Sequence, residues 1–282
     1  MGIIKKIIND FKASFSLGWK IESNWTDPFL FIIYSLAKPL SSAFILIIMF
    51  IIITRNQLPE YIPHLLIGNA LHLYTANVLF GIAWTVIDDR EYYETLKYVY
   101  ISPISLFLFL TGRGFAKYIT TTISAIIILI TGSLILKVHF SLIPYWYIYL
   151  PIFMLLGTLS LFIIGYFFAG VNFLISRQGW FLTQSATGVF LLLTGAIFPI
   201  DTLPSFLGKI GIFIPQTIWM DGMRVILLGS GWNEVFKNLN INELTTLLAL
   251  ENLIYFIIIF LFFNFSLKIA RTRGLIDQRS MG

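Results

Sequence analysis

The chain has 282 residues, of which 57% are hydrophobic and only 12% are charged, and its mean hydropathy is +0.85. Soluble domains carry roughly 25% charged residues, and one soluble core could not bury so many Ile, Leu and Phe side chains. The composition excludes an ordinary soluble protein and predicts an integral membrane protein. Because the apolar runs are continuous rather than alternating, we expect an all-α fold. The net charge of +5 does not predict nucleic-acid binding, since Lys and Arg commonly flank membrane spans.

Residues 1–27 predict a helix that lies in the membrane interface. With helical spacing, one face is apolar and the other carries Lys and polar residues. The apolar face consists of Ile4, Ile7, Ile8, Phe11, Phe15 and Trp19, and the polar face of Lys5, Lys6, Asn9, Ser16 and Lys20. A soluble amphipathic helix is the alternative, but a membrane span follows directly. The segment lacks the unbroken apolar run of a secretory signal peptide.

Six apolar stretches have the length of about 20 residues that a helix needs to cross a membrane. In chain order they cover residues 28–54, 61–87, 118–136, 146–175, 180–198 and 247–267. The third apolar region begins at Ile104 and is interrupted by Arg113 and Lys117, which leaves a run of residues 104–115 before the third span. We expect this run to approach the membrane obliquely or to lie in its interface, where the stems of both cations can reach the head groups.

Residues 199–232, between the fifth and sixth spans, are apolar but contain many helix breakers and charges. These are Pro199, Pro204, Pro215, Gly208, Gly211, Gly222, Gly229, Gly231, Asp201, Lys209, Asp221 and Arg224. Such a segment is unsuited to one spanning helix. We therefore predict two short external helices that dip into the membrane as a re-entrant segment or lie on its surface.

The distribution of positive charge predicts the topology. With six spans, both termini and residues 88–103 share one side of the membrane, and most of the Lys and Arg residues fall on it. The positive-inside rule places that side in the cytoplasm. A seventh span would move Arg271 and Arg273 outside, against this rule. We therefore expect a multi-pass protein of the cell membrane with both termini in the cytoplasm.

The sequence contains no recognisable motif for catalysis, cofactor binding or metal binding. It lacks the P-loop G-x-x-x-x-G-K-[ST], the motifs H-E-x-x-H and G-x-S-x-G, and cysteine altogether. Polar residues within the predicted spans are candidates for lining a transport pathway, namely Lys38, Asn69, His72 and Gln184. For any one of them, a hydrogen bond to a neighbouring helix is the more common role, and Lys38 can also extend to the head groups.

Charge is concentrated in residues 88–103, "DDREYYETLKYVYISP", between the second and third predicted spans. Read as a helix, residues 91–101 have one charged face, formed by Glu91, Glu94, Lys97 and Tyr98. The opposite face is formed by Tyr92, Leu96, Val99 and Tyr100, and the Ser-Pro pair that follows ends the helix. The pattern predicts a short amphipathic helix on the cytoplasmic surface, suited to docking another protein. An ordinary solvated loop is the alternative.

Three motifs occur in order along the chain. Residues 91–105 read "EYYETLKYVYISPIS", residues 195–204 read "GAIFPIDTLP", and residues 215–224 read "PQTIWMDGMR". They resemble the membrane subunits of ABC exporters of the type-2 permease family, whose motifs are E-x-G-T-L-E-x-L-x-x-S-P-x-S, G-x-x-F-P-x-x-x-L-P and P-x-x-x-x-x-x-x-x-R. Tyr93 or Glu94 replaces the usual glycine, and Lys97 stands where an acid is common. The resemblance spans most of the chain.

The resemblance implies a transport subunit rather than an enzyme, with a translocation pathway for an amphiphilic cargo such as a drug, a lipid or a lipid-linked glycan. It implies a homodimer, or a heterodimer with a homologous permease, that binds two ABC ATPase subunits carrying ATP and Mg and works by alternating access. The segment 88–103 would be the coupling helix, with ATPase-docking residues Asp89, Arg90, Glu91, Glu94, Thr95, Leu96 and Tyr98. The external helices would carry Phe198, Pro199, Leu203, Pro204, Pro215 and Arg224.

Two other functional classes are alternatives. An ATP-independent secondary transporter or channel would need an ion-coupling site, and Lys38 is the only charge that the sequence places well inside a span. A membrane enzyme would need a catalytic set, and no such set is recognisable in the sequence. Apart from ATPase and permease subunits, the expected partner is membrane lipid, with no nucleic acid.

Overall fold

The computed structural model describes residues 2–23, 60–175 and 178–275, together with scattered helical positions between residues 33 and 52. Within these residues every long element is a helix and no strand occurs, which confirms the all-α prediction. The helices are α1 Gly2–Ser23, α2 Tyr61–Glu91, α3 Leu96–Ile101, α4 Leu106–Leu136, α5 Trp146–Leu174, α6 Gly179–Leu193, α7 Ser205–Ile212, α8 Pro215–Leu228 and α9 Ile241–Thr272. A π-helical turn, Thr75–Leu79, lies within α2, and short 3-10 turns cover Ile200–Thr202 and Glu234–Phe236.

Among the described residues, four helices are long and apolar enough to cross a membrane, namely α2, α4, α5 and α9. Helices α7 and α8 pass the same test as a pair, but they meet at a bend of 80°, as in a broken span or a re-entrant loop. Helix α6 is apolar but has only 15 residues. The predicted first span, 28–54, lies largely outside the described residues. The chain has the helices of an integral membrane protein, while the number of six spans stays a prediction.

Helix α1 packs along the first half of α4, and small residues allow the two helices to approach closely. Gly18 lies against the backbone of Arg113, and Gly112 lies against Ser14. A side chain at either glycine would push the helices apart. Part of the predicted apolar face of α1 remains exposed, at Ile4, Ile7 and Ile8. The helix is therefore as predicted, and its position in the membrane interface stays a prediction.

Helix α4 runs without a break for 31 residues, so the predicted oblique segment 104–115 belongs to the same helix as the third span. Arg113 is buried and Lys117 is half-buried, rather than extended toward head groups. Each cation has an acidic partner on a neighbouring helix, Asp89 in α2 and Glu22 in α1. Because a charge that is paired inside the protein needs no route to water, the helix can continue past both positions.

Helix α5 packs against α2, α8 and α9, and two glycines let it interlock with α8. The Trp219 ring of α8 lies on Gly157 of α5, while the Phe153 ring of α5 lies on Gly222 of α8. Both rings are fully buried. Since a methyl group at either glycine would overlap the facing ring, this packing depends on glycine. These two contacts hold α8 among the long helices, and the first ten residues of α8 are buried.

Candidate functional site

The predicted docking segment between α2 and α4 does not form one helix. Helix α2 continues to Glu91, residues 92–95 form an irregular turn, and α3 covers only Leu96–Ile101. Within the turn, Glu94 has a φ of +53°, a left-handed backbone conformation that favours glycine and does not occur inside a right-handed helix. The predicted helix over residues 91–101 is therefore corrected to a helix end, a turn and a short helix.

This segment presents bulky side chains outward while one residue anchors it. The exposed side chains are Tyr92, Tyr93, Tyr98, Tyr100 and Ile101. Leu96 is only 2% exposed and belongs to the hydrophobic core. Partial burial, and to a lesser degree the carboxylate of Asp88, raises the pKa of Tyr93, so its phenol stays neutral at physiological pH. Clustered exposed aromatic side chains are typical of surfaces that bind another protein.

A buried ion pair holds the end of α2 against α4. Arg113 Nη1 donates to both carboxylate oxygens of Asp89, at 3.1 and 3.3 Å, and the two side chains are 2% and 0% exposed. Charges this deeply buried depend on each other, because an unpaired ion in a low-dielectric interior is strongly unfavourable. Lys117 and Glu22 form a second ion pair, one helical turn further along α4, which joins α1 to the same site.

Arg90 holds the same end of α2 against the C-terminus of α5. Its guanidinium donates to the carbonyl oxygen of Asn172 at 2.9 Å and to that of Ile175 at 3.3 Å. The last carbonyls of a helix lack intrahelical partners and attract cations, so this contact is favourable. Arg90 Nε also donates to Glu91 Oε1 at 3.0 Å. We call Glu22, Asp89, Arg90, Arg113 and Lys117 the brace cluster, since their bonds join α1, α2, α4 and α5 beside α3.

The predicted docking residues fall into two groups. Those with little exposure are Asp89, Arg90, Glu91 and Leu96, and their part in docking stays a prediction. Those with greater exposure are Glu94, Thr95 and Tyr98. Tyr92 and Tyr100, which the sequence placed on the face opposite the charged one, are also exposed.

A second buried cluster lies at the opposite end of α2. We call it the cap cluster, and it consists of His64, Asp221, Arg224, Trp232 and Asn233. Arg224 donates to the carbonyl oxygens of Gly195 at 2.7 Å and His64 at 3.2 Å, and its guanidinium lies 4.4 Å from the centre of the Trp232 ring. The backbone N–H groups of Trp232 and Asn233 donate to Asp221 Oδ1, at 2.8 and 3.1 Å. The side chains of Arg224 and Asp221 in α8 therefore bind backbone groups of the irregular segments that precede α7 and follow α8.

The residues of the predicted external motif lie in and before this region. Phe198 and Pro199 precede the 3-10 turn, Leu203 and Pro204 precede α7, and Pro215 is the first residue of α8, where proline is favoured. Arg224 is fully buried in the cap cluster. The two short helices are present at 205–212 and 215–228, and their location on the outer side of a membrane stays a prediction.

The candidate pathway residues do not form one lining within the described chain. Lys38 lies outside the described residues. The Asn69 amide is buried and donates to the carbonyl oxygen of Leu65 in its own helix at 3.0 Å, rather than to a neighbouring helix. His72 is half-buried on the same helix, whereas Gln184 is exposed on α6. Their part in a pathway stays a prediction.

No protein-family model matches the sequence, and no curated protein matches it either. The relation to type-2 permeases therefore stays a prediction that rests on the three motifs. In the described ranges, no group of three or more His, Cys, Asp or Glu side chains is arranged to hold a metal ion. What the described residues offer is an exposed aromatic surface at α3 and two buried charge clusters at opposite ends of α2.

Proposed function

We propose that the chain is the membrane subunit of an ATP-driven ABC exporter of the type-2 permease class. In this proposal the surface around α3 docks a separate ATPase subunit, which binds ATP and Mg. The observation that carries the proposal is the exposed aromatic surface of α3 together with the brace cluster beside it. A solvated loop needs no such support, whereas a surface that transmits force does.

The connections of the brace cluster support a coupling role. A load on α3 reaches α2 through the short turn of residues 92–95. From the end of α2 it passes to α4 through the Asp89–Arg113 pair and to α5 through Arg90. Buried charged contacts have defined geometry, so they move helices together rather than letting them slide. Closure of an ATPase pair could in this way alter the tilt of several spans at once.

The backbone of Glu94 also supports the resemblance. The family motif has a glycine before its Thr-Leu pair, and this chain has Glu94 before Thr95 and Leu96. The left-handed φ of +53° at Glu94 is a conformation that glycine adopts without strain. Of the two residues that the sequence offered for the glycine position, the backbone favours Glu94.

A two-fold assembly would complete the transport pathway. Helix α6 has apolar side chains exposed along its length, including Trp180, Phe181 and Val189, with the amide of Gln184 among them. Such a face is suited to meeting a second permease subunit, as a homodimer or a heterodimer. The pathway between two subunits would carry an amphiphilic cargo by alternating access, with both termini in the cytoplasm of a multi-pass cell-membrane protein.

Purification of the tagged chain from its native membranes tests the proposal. We expect a P-loop ATPase to co-purify, and the complex reconstituted in liposomes should hydrolyse ATP. Tyr98→Asp should strongly reduce both the yield of the ATPase subunit and the rate of hydrolysis, because it places a charge in the centre of the docking surface.

Tyr147→Asp is the matched control, since Tyr147 is 60% exposed, compared with 61% for Tyr98, but lies at the opposite end of the bundle, near the start of α5. It should leave the complex intact. Equal losses in both variants would contradict docking at α3. Cargo movement driven by an ion gradient, by the chain alone and without ATP, would instead favour a secondary transporter or channel.

A further inference from the structure

A groove of about 560 Å³ lies between α4, α5 and α9. Its walls are apolar and include Phe107, Phe115, Leu155, Leu159, Phe256 and Phe260. Leu155 is 67% exposed and Phe260 is 47% exposed, so the groove opens sideways from the bundle. In a membrane-spanning chain, this opening faces the hydrocarbon of the bilayer.

The dimensions and chemistry of the groove suit one acyl chain. Along α4 it extends from Phe107 to Tyr118, a rise of about 16 Å at about 1.5 Å per residue. One leaflet contributes about half of a hydrocarbon core that is about 30 Å thick. The hydroxyls of Thr111 and Tyr166 on the groove wall bond to each other, with 2.5 Å between their oxygens. Both hydroxyls would therefore keep a hydrogen-bond partner when a hydrocarbon chain fills the groove.

At the end nearest α3 the groove leads into a second cavity, with which it shares Phe107, Phe260 and Phe263. This cavity, which we call the mouth, has a mixed lining, in which apolar side chains alternate with the polar residues Tyr100, Ser102, Ser105, Asn264 and Arg271. An apolar groove that ends in a mouth with polar side chains matches a molecule with a hydrocarbon tail and a polar head.

The charge of the mouth is positive. The Arg271 guanidinium lies 5.2 Å from the centre of the Tyr100 ring, and no acidic side chain in the described part of the chain forms an ion pair with it. Lys268, one turn earlier on α9, is exposed as well. A cationic site at the end of a span attracts anionic lipid head groups.

We propose that the groove and the mouth bind an anionic phospholipid. The phosphate lies at Arg271, the hydroxyl of Ser105 donates to the head group, and one acyl chain fills the groove. A free phosphate would leave the groove empty, and a zwitterionic lipid would bring an ammonium group toward Arg271. Because Tyr100 lies in α3 and Ser102 directly follows it, the bound head group would also stabilise the α3 surface. The site does not depend on the proposed ATPase partner.

Native mass spectrometry of the full-length chain in detergent tests the site. Dioleoyl phosphatidylglycerol and dioleoyl phosphatidylcholine are titrated in parallel, and we expect the anionic lipid to bind roughly fivefold more tightly, the effect of one well-placed cation. Arg271→Gln should remove this preference. Arg273→Gln, an exposed cation outside the mouth, should preserve it.

A second pair of variants tests the acyl chain. Leu159→Trp narrows the groove and should weaken the binding of both lipids, whereas Leu134→Trp, at a 74% exposed position of α4 outside the groove, should not. Equal affinity for the two lipids would overturn the proposal, as would an equal loss in Arg271→Gln and Arg273→Gln. Displacement of phosphatidylglycerol by inorganic phosphate would also overturn it, because the site would then recognise phosphate alone.

Discussion

The brace cluster and the cap cluster both bury charge at the ends of one helix, but they satisfy that charge in different ways. His64 and Asp89 are separated along α2 by about 37 Å, at about 1.5 Å per residue. In the brace cluster, the carboxylate of Asp89 meets the guanidinium of Arg113. In the cap cluster, Arg224 meets backbone carbonyls and an aromatic ring, and Asp221 meets backbone N–H groups.

The difference follows from what each cluster joins. The brace cluster joins regular helices mainly through pairs of side chains, because most of their backbone groups are already bonded, and Arg90 alone binds the free carbonyls at the end of α5. The cap cluster joins irregular segments around residues 195–200 and 230–233, whose backbone groups need partners in an apolar setting. Arg224 and Asp221 bond to several backbone groups and fix the conformation of loops, whereas the Asp89–Arg113 pair fixes the relative position of two helices.

The largest effect is expected at Arg224. Arg224→Met leaves the carbonyls of Gly195 and His64 without their donor and Asp221 without a nearby cation. We expect a loss of about 3 to 5 kcal/mol in the free energy of unfolding, measured by equilibrium unfolding in SDS. Lys237→Met, at an exposed side chain, is the control and should change stability by less than about 0.5 kcal/mol. A similar small change at Arg224 would show that the loop is held by other contacts.

A smaller loss of stability is expected at the brace cluster, and removing both partners should restore part of it. Asp89→Ala and Arg113→Ala should each cost about 3 kcal/mol, because each leaves a buried charge unpaired. The double variant should cost clearly less than the sum, since it removes both charges, and the coupling should be about 2 kcal/mol. The same unfolding assay measures the cycle. Additive losses would mean that the two charges act independently, which would remove the distinction between the clusters.

The smallest effect is expected at Glu94, between α2 and α3. Glu94→Gly relieves the left-handed backbone but makes the unfolded chain more flexible, so the net gain should be at most about 1 kcal/mol. Lys97→Gly, three residues later within α3, should instead cost about 1 kcal/mol through lost helix propensity. Thermal unfolding of the two variants gives the comparison. A loss of equal size in both would indicate that the turn at Glu94 carries no strain.

Particular residues show where sequence reasoning worked and where it stopped. The long apolar runs predicted the helices of α2, α4, α5 and α9, since a run of that length has few alternatives. The prolines and glycines of residues 199–232 predicted two short helices, and Pro215 begins one of them. By contrast, Arg113 looked like a cation near the head groups, because its partner Asp89 lies 24 residues away on another helix. The helix predicted over residues 91–101 is broken at Glu94, whose left-handed backbone has no signal in the sequence.

The sequence by itself determined the class of the protein and the local character of its segments. Apolar length, helical periodicity and helix breakers act over a few turns, so they can be read without knowing how the helices pack. Only the tertiary structure decided which charges meet, that α4 continues past Arg113, and that a groove between α4, α5 and α9 ends at Arg271. These features depend on the relative rotation and depth of helices that are distant in sequence. No local pattern encodes that rotation, because it is set by contacts such as Trp219 on Gly157 and Phe153 on Gly222.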